Sequence, residues 1–136
     1  MKRRAAYLAL TAALALGIAG VANAAKPAGS SISLVVLGTQ TAAATTQPTF
    51  GSQVTFNVST DKTSEPWVDL KCSKGGVLVY EQWNGFYGSY QFGQTFTLGP
   101  TQMWTSGAAN CTAYLDYFTS NGSARTLAST SFSVAG

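Results

Sequence analysis

The stretch "NCTAYLDYFTSNGSARTLASTSFSV", Asn110 to Val134, decides the fold. Two runs of alternating apolar and polar residues flank an Asn-Gly pair. Asn121-Gly122 is a strong two-residue hairpin signal, because both residues tolerate positive φ. Folding there sets Leu115 opposite Ala128, Ala113 opposite Thr130 and Cys111 opposite Phe132. The other face then pairs Tyr114 with Ser129 and Phe118 with Arg125. Side chains alternate along a strand, so one face of this hairpin is apolar and the other is mixed.

The start of the chain bears on the compartment. "MKRRAAYLALTAALALGIAGVANA", residues 1–24, has a basic opening at Lys2, Arg3 and Arg4, an apolar run and an Ala-Asn-Ala end. That is the pattern of a secretory signal peptide, and the apolar run is short for a bilayer span. The expectation is a secreted, extracellular chain with cleavage after Ala24. Residues 25–31 form a short, poorly patterned, disordered lead-in, and residues 32–136 form one domain. The formal charge of +3 is then misleading. Past residue 24, Lys26, Lys62, Lys71, Lys74 and Arg125 balance Asp61, Glu65, Asp69, Glu81 and Asp116. No basic patch is left for phosphate, so nucleic acid is not an expected partner. No membrane association is expected after cleavage.

Cys72 and Cys111 are the two cysteines. In an exported chain the default is a disulfide. Closing a loop of about 40 residues contributes about 4 kcal/mol on the chain-entropy account. A bridge across adjacent antiparallel strands sets Leu70 opposite Ala113 and Val68 opposite Leu115. These fall on the same apolar side that the hairpin selects. The opposite side carries Trp67 against Asp116, Asp69 against Tyr114 and Lys71 against Thr112.

Strand patterns cover Ser31–Leu37, Gln53–Thr60, Pro66–Ser73, Val77–Trp83, Gln94–Leu98, Asn110–Phe118 and Thr126–Val134. Period-two alternation, β-branched residues and Gly, Pro and Asn at short intervals indicate an all-β, seven-stranded antiparallel sandwich. Gly75-Gly76 joins the third and fourth strands tightly. The small polar segment from Gly38 to Gly51 reads as loop.

The chain resembles the immunoglobulin-like (Ig-like) superfamily. Cys-Thr-Ala at Cys111–Ala113 matches the C-x-A of that superfamily's sixth strand, and Trp83 lies near its Cys-to-Trp spacing from Cys72. Ala109 stands where the tyrosine-corner residue is expected. The glycine turn between Cys72 and Trp83 is too tight to cross between sheets. Cys72 is therefore placed on the third strand, with the bridge inside one sheet. The resemblance is closer to fibronectin type III and bacterial Ig-like modules, and it implies a seven-stranded sandwich.

The sequence limits its chemistry. It holds no His, which excludes a Ser-His-Asp triad and any His-ligated metal. With both cysteines bonded, no thiolate nucleophile remains. No nucleotide or zinc spacing is present, so no cofactor is expected. A calcium site built from Asp61, Glu65 or Asp116 lacks a ligand loop, so no metal is expected. Asn57, Asn110 and Asn121 begin N-glycosylation patterns of the sort that arise by chance in a chain rich in Ser and Thr. Asp69 and Asp116 lie diagonally on the outward face, with Cβ atoms roughly 7–8 Å apart. That spacing suits glycoside hydrolysis. The preferred reading is two solvated carboxylates, since an open sheet face neither raises a pKa nor excludes water.

The aromatics remain. Phe50, Phe56, Phe96 and Phe132 read as core, and Trp83 and Phe92 as folding back over the sandwich end. Trp67, Tyr80, Tyr114 and Phe118 point outward. Phe86, Tyr87 and Tyr90 lie in the glycine-rich loop Asn84–Gly93. With Asp69 these seven rings form the expected binding face, since exposed aromatics bury large areas with few rotors. The expected role is a monomeric, non-enzymatic module in binding or structure at the cell exterior, with a protein partner. Alternatives are a cell-envelope glycan stacked on exposed rings, and an apolar small molecule held between loops Asn84–Gly93 and Gly99–Asn110 by Met103 and Trp104. A glycoside hydrolase comes last.

Overall fold

A computed structural model of the chain describes residues 29–38 and 47–136. The signal peptide over 1–24 and most of the lead-in over 25–31 lie outside the described residues. Seven strands follow: β1 (Ser30–Val36), β2 (Gln53–Thr60), β3 (Trp67–Lys74), β4 (Val77–Gly85), β5 (Phe96–Thr97), β6 (Ala109–Phe118) and β7 (Ala124–Val134). They form two antiparallel sheets, ordered β1-β2-β5 and β4-β3-β6-β7.

The inner faces of these sheets make the core. Ile32, Val54, Phe56 and Phe96 come from one sheet, and Val68, Leu70, Ala113 and Leu115 from the other. Phe56 is the hub between them, with its ring 5.6 Å from Phe96 and 6.3 Å from Phe132. Cys72 and Cys111 are paired residues on β3 and β6 and are bridged there, with Cα atoms 4.0 Å apart. The bridge is thus inside one sheet, and the β3–β6 register is the expected one: Leu70 opposite Ala113, Val68 opposite Leu115.

Two hairpins differ from expectation by one residue, one at its turn and one at a bulge beyond it. Thr119 N–H donates to the Ser123 carbonyl and Gly122 N–H to that of Thr119, so the hairpin loop holds three residues, with Gly122 at φ 82°. Phe118 therefore faces Ala124 instead of Arg125. A bulge between Leu115 and Asp116 absorbs Leu127 and restores the expected pairs from Leu115 to Cys111.

The second difference matters more. Gly75 and Gly76 make the tight turn, both at positive φ. A bulge between Cys72 and Ser73 then inserts Val79, so that Cys72 faces Tyr80. One extra residue exchanges the two faces of the rest of β4. Tyr80, expected outward, turns into the core and is 9% exposed. Burial pushes its phenol up to about 12. Its O–H donates to Gln82 Oε1 at 2.7 Å, Gln82 Nε2 donates to Asn84 Oδ1, and Asn84 Nδ2 donates to the Thr95 carbonyl. This ladder supplies partners for the polar inner edge of β4.

Trp104 closes the end of the sandwich nearest Tyr80. It is fully buried, donates its indole N–H to the Gly107 carbonyl at 2.9 Å, and packs edge-on to Phe50 at 5.3 Å. Thr101 Oγ1 ties this loop to the Val79 carbonyl. The loop after β4 leaves from Gly85, the opposite end of that strand. The expected cleft between these two loops is therefore not formed. Trp104 is core, and Met103 is 64% exposed on its own.

Candidate functional site

The outer face of the four-stranded sheet carries a second cluster of rings. The β3–β6 register sets Trp67 beside Asp116 and Asp69 beside Tyr114, a diagonal checkerboard of two rings and two carboxylates. The β4 bulge brings Trp83 onto this face opposite Asp69, and Gly85 opposite Trp67. Trp83 was expected in the core, but its ring lies 5.8 Å from Phe118.

Trp67 is the centre. Tyr90, Tyr87 and Phe118 meet it edge-on at 5.4, 5.8 and 5.9 Å, with interplanar angles of 75°, 64° and 80°. The loop after β4 delivers the two tyrosines by doubling back over the sheet. Phe86 N–H bonds the Pro66 carbonyl, which starts the reversal. Gly85 is required there: a Cβ at that position would stand 2.5 Å from Tyr87 Cε1 and 2.6 Å from Tyr90 Cδ2. In the sequence Gly85 falls past the Val77–Trp83 strand pattern, within the loop Asn84–Gly93, and only the structure extends β4 to it. Phe86, expected on the face, turns the other way and stacks on Phe96 at 6.3 Å, against the core. Phe92, expected to fold back into the core, instead meets Tyr90 edge-on at 5.7 Å and is 86% exposed. Phe118 is 47% exposed.

Beneath these rings the carboxylates are not solvated, contrary to the sequence reading. Asp69 is 2% exposed and Asp116 is 4% exposed. Asp69 Oδ2 pairs with Lys71 Nζ at 3.1 Å, and the same ammonium reaches Glu81 at 3.5 Å and sits 5.7 Å from the Tyr114 ring centre. Asp69 Oδ1 and Asp116 Oδ1 are closed to solvent and accept no hydrogen bond among the described residues. Burial raises the Asp69 carboxyl above the ordinary carboxylate value. Its bond to Lys71 and that cation's charge oppose the rise, while Glu81 and Asp116 add to it. The face is thus a half-covered aromatic layer over two dry carboxylates.

Of the expected site residues, Trp67, Asp69, Tyr87, Tyr90, Tyr114 and Phe118 share this face or its covering loop. Tyr80 and Phe86 belong to the core. Trp83, Gly85, Phe92 and the buried state of Asp116 were missed.

No protein-family model matches the chain, and no curated protein matches it.

Proposed function

We propose that this chain is an exported, non-enzymatic Ig-like module that holds a protein partner on the outer face of its four-stranded sheet. One observation carries the reading: a ring cluster built outside the core, with Phe92 86% and Phe118 47% exposed at its rim. Large apolar rings at a surface, backed by half-buried ones, are the anchors of protein interfaces. The strand order supports the Ig-like part, with β4 on the sheet of β3, β6 and β7. That arrangement extends the strand set that Ig-like sandwiches keep together. The disulfide and the opening residues support export.

The ring geometry favours a protein over a glycan. Sugars stack on coplanar exposed faces. Here Tyr87, Tyr90 and Phe118 each stand edge-on to Trp67, at 64–80° to its plane, so they offer no coplanar platform with it. Hydrolysis is disfavoured because Asp69 is held by Lys71 and the free oxygens are covered.

The test is retention of secreted and envelope proteins from the producing cell on immobilised chain. Phe92→Ala with Tyr90→Ala is expected to lose the retained partner while circular dichroism stays native. A partner retained equally by this variant contradicts the proposed face.

A further inference from the structure

The two cross-strand pairs of the checkerboard are built alike and finished differently. On one, Asp69 lies beside the Tyr114 ring, and Lys71 completes the set by pairing with the carboxylate and sitting over the ring. On the other, Asp116 lies beside Trp67, with Phe118 edge-on to the indole. No cation of the described residues joins it. Arg125 faces Tyr117, one position off in register, and makes no ion pair there. Asp116 is 4% exposed and its Oδ1 accepts nothing among the described residues. A buried acceptor left in that state keeps its full desolvation penalty, larger when charged. Among the described residues the face also carries the carboxylates of Asp69, Glu81 and Asp116 against the single ammonium of Lys71.

We infer that the Asp116–Trp67–Phe118 corner is a cation site, and that its occupant is a Lys or Arg side chain of the protein partner. The bound group repeats what Lys71 does at the other cross-strand pair. Its charge meets Asp116, and its flat or methylene surface lies against the rings. The exposed Phe118 ring, at the end of β6, swings aside to admit it. This inference rests on the protein-binding reading of the face and names the chemistry of the partner's anchor.

The probe is N-acetyl-arginine amide, with N-acetyl-citrulline amide as its neutral isostere, titrated into the full chain at fixed ionic strength. NMR follows the Trp67 indole N–H and the Asp116 side-chain carboxyl carbon. Saturable shifts at both are expected with the arginine compound. Binding of citrulline is expected to be about tenfold weaker or more, the loss of a charged hydrogen bond. Asp116→Asn is expected to remove the preference. Equal binding of the two compounds, or no saturable shift with arginine, overturns the inference, and neither comparison depends on a variant folding. Partner retention separates the two readings. A partner kept by Asp116→Asn but lost by the Phe92 and Tyr90 variant overturns the cation site and leaves the face. A partner kept by both overturns the face itself.

Discussion

The two faces of the β4-β3-β6-β7 sheet use alternate residues of the same strands, yet they are finished in opposite ways. The inner face presents Val68, Leu70, Ala113 and Leu115 to a facing sheet that covers them fully. The outer face presents Trp67, Asp69, Tyr114 and Asp116 to a single returning loop, which leaves rings at its rim in water. Packing on the inner side is complete without any other molecule. On the outer side, apolar area remains exposed and two carboxylate oxygens remain unpaired among the described residues. A fold needs only the first kind of face. The second is what interaction surfaces retain.

The largest expected effects fall on the inner side. Replacing Cys72 and Cys111 by Ser is expected to cost about 4 kcal/mol, the loop-closure contribution, read as a fall in the urea midpoint. Leu70→Ala is expected to cost about 2–5 kcal/mol by opening a cavity in a fully buried position. Both variants are expected to leave the remaining folded chain's affinity for the proposed partner unchanged.

Gly85→Ala sits between the two faces. Its Cβ displaces Tyr87 and Tyr90, so a cost of about 1–3 kcal/mol is expected, together with lost partner retention. Equal stability with binding intact would break the comparison at the loop.

A smaller effect sharpens it through pH. Folding raises the Asp69 carboxyl, so the folded state holds that proton more tightly than the unfolded chain does. The stabilisation is full below the ordinary value of 3.8 and is lost as pH rises through the raised folded value. Asp69→Asn is expected to flatten the slope of stability against pH in that window, measured by thermal unfolding at a series of acidic pH values. Lys71, Glu81 and Asp116 face Asp69 and set the size of the change. An unchanged slope would mean that the outer carboxylate is not dry.

How much of this was legible in the sequence depends on which residues set each feature. The β3–β6 register came from Cys72 and Cys111, signals that constrain pairing directly. Asn121-Gly122 marked the β6–β7 hairpin but not its loop length, and the inner pairs match only because the bulge at Leu127 offsets the longer loop. The bulge at Val79 carries no such signal. It trades one ladder step for the burial of Tyr80, a choice made by the opposing sheet and by Trp104 at 6.3 Å. Tyr80 and Trp83 were therefore assigned to the wrong faces. The burial of Asp69 and Asp116 depends on where the loop after Gly85 lands. Its glycines permit reversal without specifying direction.

The smallest expected stability change carries the central claim. Phe92→Ala is expected to shift stability by no more than about 0.5 kcal/mol, since the ring is 86% exposed. Oxidative footprinting of the chain with and without its retained partner tests that claim most directly. Protection of Phe92, Tyr90 and Phe118 is predicted, with Met103, 64% exposed at the other end of β4, oxidised equally in both states. Protection at Met103 with the outer rings still reactive would contradict the account.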